Sequence, residues 1–189
     1  MKKTDHRVRV TKQLLRDALT ALLTEKPIGS ITVKELCLKA GINRGTFYAH
    51  YTDVFDLLRS IQQEMETDFF AALKPVLSSV GQLTPPKVTK KIFECIEANA
   101  DLCRATIGPH GDKEFAQNLL NKTKELCLQS YGTYFPNADE RQIERYYTFI
   151  TGGCFAMMER WIRGDLNASS AELAEACEQI MEKGVGFLR

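Results

Sequence analysis

Residues Ile31 to Tyr51 read ITVKELCLKAGINRGTFYAHY, and the order of caps, glycine and aromatic residues in this stretch predicts two short helices joined by a tight turn. Thr32 and Glu35 have the spacing of a capping box, in which the hydroxyl accepts from a first-turn amide and the carboxylate reaches back. Val33, Leu36, Cys37 and Ala40 then recur at helical spacing as a buried face. Gly41 supplies the left-handed backbone that ends this helix. Asn43 caps a second helix running roughly from Arg44 to His50.

A helix that short is unstable alone, since isolated helices below about 12 residues are marginal in water. Phe47 and Tyr51, one turn apart, anchor one side. That leaves Arg44, Gly45, Thr46, Tyr48 and Ala49 facing outwards. The set suits DNA: Arg44 pairs with phosphate or bonds bidentately to guanine, Thr46 and Tyr48 donate to phosphates, and Gly45 lets the backbone approach. A helix-turn-helix docks in this way, with its second helix in the major groove. The competing reading of these residues is a buried helical hairpin with Arg44 and Tyr48 as solvated surface.

The chain has 189 residues, 44% of them hydrophobic, enough for one or two small domains with a proper core. Its net charge of +1 conceals a division: Met1–Tyr51 holds ten Lys and Arg against four Asp and Glu, whereas the remainder holds 15 basic and 20 acidic residues. Positive charge therefore travels with the helix-turn-helix, where it neutralises phosphates, and the acidic remainder limits nonspecific adhesion. No long apolar run or amino-terminal apolar segment is present, so a soluble, cytoplasmic protein without a membrane partner is expected. Cys37, Cys95, Cys103, Cys127, Cys154 and Cys177 are scattered without the spacing of a zinc site or disulfide framework. They read as reduced core thiols, with redox sensing as the alternative. His6, His50 and His110 are too dispersed for a metal site, and nothing calls for a cofactor.

All remaining patterns are helical, so the expected fold class is all-α. Met1–Val10 reads as a basic arm ahead of a brace helix from about Thr11 to Thr24, whose apolar face is Leu15, Ala18, Leu19 and Leu22; Pro27 and Gly29 end it. The expected domains are 1–52, the helix-turn-helix unit with its arm, and 53–189, a helical effector-binding and dimerisation domain. A continuous helix from about Asp53 to Lys74 carries Leu58, Ile61, Met65, Phe69 and Leu73 as a stripe. Thr84-Pro85-Pro86 starts another, with Ile92, Cys95, Ile96 and Asn99 on its inner face. Gly108, Pro109 and Gly111 break the chain before a helix capped by Asp112 that uses Phe115, Leu119, Leu126 and Cys127. The last two helices carry long stripes, Ile143, Tyr147, Ile150, Cys154, Met157 or Met158, and Trp161 in one, and Leu173, Cys177, Ile180 and Met181 in the other, the latter opened by a Ser169/Glu172 capping box. Such a pair forms either an internal hairpin or half of a four-helix dimer interface; the dimer is preferred, because one small helix-turn-helix holds a DNA site too weakly.

The brace helix followed by ITVKELCLKAGINRGTFYAHYTDVFDLL resembles the TetR/AcrR family of transcriptional regulators over roughly Arg7 to Leu58, and GGCFAMMERWIRGDL is similar to the dimerisation helices of many members. The resemblance implies an all-α homodimer that represses transcription from a palindromic operator and releases it when a small molecule enters the carboxy-terminal domain. It places DNA contacts on Thr32, Val33 or Lys34, and on Arg44, Gly45, Thr46, Tyr48 and His50, with a local structural donor as the other role for His50. Where the family commonly opens its fourth helix with a phosphate-binding lysine, this chain has Val54. The pocket implied by the resemblance lies among Met65, Phe69, Phe93, Ile96, Cys103, Phe115, Leu119 and Met157. Competing classes are a regulator controlled by a protein coactivator, a purely structural dimerisation protein, and a small helical enzyme using Cys95 or Cys103 with His110. The last lacks an orienting third group, so no catalytic residues are assigned.

Overall fold

A computed structural model describes residues 3–77, 84–107, 110 and 112–184. Every regular element among them is helical: α1 (Lys3–Glu25), α2 (Val33–Ala40), α3 (Arg44–Tyr48), α4 (Val54–Leu77), α5 (Pro85–Ala98), α6 (Ala100–Ile107), α7 (Lys113–Tyr134), α8 (Glu140–Arg163) and α9 (Ser170–Lys183), with one 3₁₀ turn at Ile28–Ser30. The all-α expectation holds. No described helix is long and apolar enough to cross a membrane.

The contact pattern divides the chain into two compact units, Met1–Glu66 with Asp101–Phe115, and Thr67–Ala100 with Ala116–Arg189. This is not a single cut after residue 52, and the core of the first unit shows why. Leu15 and Leu19 of α1, Leu36 of α2, Phe47 of α3 and Leu57 of α4 are all essentially inaccessible, and Leu102 and Ala105 of α6 join the same cluster. The first half of α4 therefore completes the helix-turn-helix core.

Several local expectations change. The segment read as a basic arm is helical from Lys3, because nothing in it breaks a helix and half-buried Val8 and Thr11 extend the face of Leu15. Asn99 is not on an inner face: it is an exposed C-cap whose side-chain amide donates to the Cys95 carbonyl at 2.9 Å, and α5 and α6 are separate helices around it. Asp112 does cap α7, accepting from the amides of Glu114 and Phe115 at 3.0 and 3.1 Å. Gly108, Pro109, Gly111 and the Leu126 side chain lie outside the described residues.

In the second unit α5 packs along α9, and α9 also meets α8. Ser169 and Glu172 form the predicted reciprocal capping box at the start of α9, and Asp139 and Gln142 form another at α8. Phe93 meets Trp161 edge-on at 5.8 Å, and the Trp161 indole donates to the Ala168 carbonyl at 2.8 Å. A second cluster joins Cys127 and Tyr131 of α7 to Ile143 and Tyr147 of α8.

Phe47 is the largest fully buried side chain of the first unit. Phe47→Ala is expected to destabilise that unit by about 3–5 kcal/mol through lost burial and a residual cavity, read as a lower urea midpoint at unchanged slope.

Candidate nucleic-acid interface and ligand cavity

The turn between α2 and α3 is closed by local chemistry. Thr32 caps α2, its hydroxyl accepting from the Glu35 amide at 3.2 Å. The carboxylate of Glu35 does not complete the expected box; it takes the Lys26 ammonium at 2.6 Å, and this partner holds the carboxyl below its ordinary value. Gly41 ends α2 at φ 66°, in the left-handed region, and the Ile42 amide returns to the Cys37 carbonyl at 3.0 Å. Asn43 then caps α3, its oxygen accepting from the Thr46 amide at 2.7 Å and the Thr46 hydroxyl at 3.0 Å. A Cβ on Gly45 would stand 3.3 Å from that same Asn43 oxygen, so glycine keeps the cap undisturbed.

The buried and exposed sides of α3 fall as the sequence predicts except at Thr46, which is half-buried. Phe47 is 0% and Tyr51 7% exposed, whereas Arg44, Gly45 and Ala49 face solvent and Tyr48 is 58% exposed. The Tyr48 ring lies edge-on to Phe47 at 5.4 Å, which orients the phenol without covering it. At the start of α2, Thr32 and Lys34 are exposed and Val33 is half-buried. Two expected roles are modified. The Thr46 hydroxyl already donates to Asn43, leaving its oxygen as an acceptor. His50 is half-buried, with its ring 6.4 Å from that of Tyr51.

Val54 is 5% exposed and belongs to the core. The adjoining start of α4 is closed by the chain's own acids: Asp53 accepts from the Asp56 amide at 2.7 Å, and Asp56 accepts from the Thr52 amide at 2.9 Å. The bond from the Thr52 amide is the main cause that holds the Asp56 carboxyl below its ordinary value of 3.8.

A feature the sequence reading missed is a polar cleft of about 300 Å³ between α1 and α4 in the first unit, lined by Arg9, Lys12, Gln13, Arg16, Ser60 and Glu64. The signal was present as basic residues at i, i+3 and i+7 of one helix. Arg16 is held there by Glu64 at 2.7 Å.

The second unit contains an apolar cavity of about 60 Å³ among α4, α5, α7 and α8. Of the residues expected around a pocket, only Phe93 lines it; Phe69, Ile96, Leu119 and Met157 do not, and Met65, Cys103 and Phe115 belong to the first unit. Helical phase explains the near misses, since Leu120 and Met158 point inwards where Leu119 and Met157 were expected. Tyr147, Ile150, Cys154 and Met158, read from the sequence as an intersubunit stripe, form part of this wall instead. Ile143, Leu173 and Cys177 are likewise buried within the chain, and Trp161 is occupied by Phe93. Of the expected interface residues, Ile180 is exposed and Met181 half-buried.

Among the described residues the polar groups of the cavity wall are hydroxyls and thiols, namely Thr89, Thr123, Thr151, Tyr131, Tyr147, Cys127 and Cys154, with no charged side chain. Burial pushes the Cys127 thiol up to about 11 and raises the Tyr131 and Tyr147 phenols, so these groups are neutral at physiological pH. Cys95, the sequence candidate for a nucleophile, is also raised by burial, the opposite of activation.

A family model described as transcriptional regulator C-terminal region matches residues 84–183. The uncharacterized HTH-type transcriptional regulator YxbF of Bacillus subtilis (strain 168) is 33% identical over 69 residues, which are 36% of this chain and only 18% of that protein's length. The fatty acid degradation regulator FadR from Bacillus halodurans superposes with a TM-score of 0.68 at 18% identity, covering 93% of this chain and 96% of its own. FadR from Bacillus subtilis, solved with stearoyl-CoA, gives 0.68 at 16% identity over 91% and 98% of the two chains.

The acid cap of α4 has a definite pH signature. Because the folded Asp56 carboxyl lies below 3.8, its contribution is complete above that value and is lost as pH falls through the lowered folded value. Asp56→Asn is expected to flatten the acid limb of a stability–pH profile measured by urea unfolding, with little change in its alkaline limb.

Proposed function

The chain belongs to the TetR/AcrR family of transcriptional regulators, and from that premise we propose that it is a cytoplasmic repressor that grips a palindromic operator as a homodimer and releases it when a small neutral molecule occupies the second unit. The observation that carries the reading is α3: five residues, capped by Asn43 and anchored by Phe47, that present Arg44 and Tyr48 to solvent. The amino-terminal division of charge, ten basic against four acidic residues up to Tyr51, favours phosphate at this end of the chain. On this reading Thr32, Val33 or Lys34 flank the recognition helix at the backbone, and His50 supports its far end.

The proposed dimer face differs from the sequence stripe. On α8, Phe149 is 73% exposed, and Gly152, Gly153 and Ala156 follow it on the same exposed side; Ile180 of α9 is 38% exposed. A large apolar side chain beside small residues lets two helices approach closely, and two such helices from each subunit make a four-helix contact.

The ligand class follows from the neutral cavity wall. FadR from Bacillus subtilis was solved with stearoyl-CoA. Here, among the described residues, no cation lines the 60 Å³ cavity to receive a nucleotide's phosphates, so the fitting effector is a small uncharged molecule with an apolar body and a hydroxyl or carbonyl for Thr123, Tyr147 or Thr151.

Arg44→Ala and Tyr48→Ala are each expected to weaken operator binding by about 1–3 kcal/mol while circular dichroism and thermal unfolding stay unchanged. Fluorescence-anisotropy titration at fixed physiological salt, on duplexes selected from genomic DNA, makes the measurement; wild-type affinity in Arg44→Ala would refute the assigned face. Phe149→Glu is expected to shift sedimentation from dimer to monomer and to abolish tight binding to the palindrome, leaving the helical content intact. A Phe149→Glu protein that remains dimeric overturns the α8 interface.

A further inference from the structure

The sulfurs of Cys154 on α8 and Cys177 on α9 lie 3.7 Å apart, and Met157 brings its thioether to 3.8 Å from Cys177. Both cysteines are free thiols. They are 23 positions apart in sequence, so the pairing is created by the packing of α8 against α9. Cys154 is half-buried and lines the cavity, whereas Cys177 is 2% exposed. One sulfur is thus open to a small molecule in the cavity and the other stands directly behind it.

We propose that Cys154 and Cys177 are an oxidation site, converted reversibly to a disulfide by a small hydroperoxide that reaches Cys154 through the cavity. The Cys154 sulfur attacks one peroxide oxygen, the O–O bond breaks, and the departing oxygen takes a proton as water or an alcohol. This leaves a sulfenic acid on Cys154. The Cys177 sulfur attacks that sulfur, its thiol proton joins the departing hydroxyl as a second water, and the S–S bond forms. Two electrons pass from the two thiols to the peroxide, which supplies the oxidant. The Cys177 sulfur beside it and burial raise the Cys154 thiol, and the Thr89 hydroxyl, placed to donate to its sulfur, opposes that shift; the first attack therefore draws on a minor thiolate fraction and quickens as pH rises. Closing from 3.7 Å to a bond of about 2.05 Å withdraws the Cys154 thiol from the cavity wall.

The same three sulfurs are soft-metal donors. Among the described residues no third His, Cys, Asp or Glu joins the two thiols to complete a metal site, so the pair favours oxidation over metal binding. The site stands independently of the repressor reading, because it needs only the packing of α8 and α9.

The test uses the full-length protein with stoichiometric hydrogen peroxide and with cumene hydroperoxide. Expected are loss of two thiols, a mass lower by two hydrogens, a cross-linked Cys154–Cys177 peptide, and full reversal by dithiothreitol. Cys154→Ser and Cys177→Ser each abolish the bridge, while Cys127→Ser and Cys95→Ser preserve it. In Cys177→Ser a dimedone-type probe traps the sulfenic acid on Cys154, a signature that merely losing a packing contact would not give. Retention of both thiols in the folded protein, bridging through another cysteine, or copper bound stoichiometrically to the purified reduced protein in place of bridging would each overturn the proposal.

Discussion

The burial of Phe47 is the contact on which the functional end of the molecule depends. A five-residue helix has almost no intrinsic stability, since one or two backbone hydrogen bonds cannot offset the entropy of fixing its residues. Phe47 converts that helix into part of a core built from α1, α2, α4 and α6. The Asn43 cap and the left-handed Gly41 then set where it begins. With one side committed to the interior, Arg44 and Tyr48 have only the solvent side left to them.

A second constraint separates the two units chemically. The helix-turn-helix end carries surface cations, some tied to neighbours, as Lys26 is to Glu35 and Lys39 to Glu25. The cavity of the other unit is walled by neutral hydroxyl, thiol and apolar groups. Under the proposed function, anionic polymer and uncharged small molecule are discriminated by electrostatics before shape is considered: a buried ion without a partner is costly, while an exposed cation meets phosphate at little desolvation cost. The sulfur pair adds a further chemistry at the edge of the neutral site, where the Cys154 thiol is accessible and a partner thiol already touches it.

Inside α8 and α9 the same apolar stripes serve the chain's own core. Tyr147 closes against Tyr131, with ring centres 6.2 Å apart, and Cys177 sits between Cys154 and Met157. What remains on the outside is a short row of Phe149, Gly152, Gly153 and Ala156 that no simple hydrophobicity pattern singles out, because two of its four members are glycine.

The sequence by itself determined the helix-turn-helix, its exposed face and the caps of α3, α7 and α9, because each depends on residues within a turn or two of one another. Asn43 reaches Thr46, Ser169 reaches Glu172, and Gly41 needs only its own backbone freedom. Tertiary structure alone decided what lies opposite each buried stripe. Periodicity states that a face is covered and is silent on whether the cover is the same chain or another; hence the stripe of Ile143, Tyr147 and Ile150, expected between subunits, turned inwards. It also decided between equally local options: Glu35 could return to its own helix end or take Lys26, and the ion pair prevailed. The cavity wall and the Cys154–Cys177 pair required the same information, since a helical register error of one residue exchanges Leu119 for Leu120, and a 3.7 Å contact across 23 positions exists only once α8 and α9 are packed.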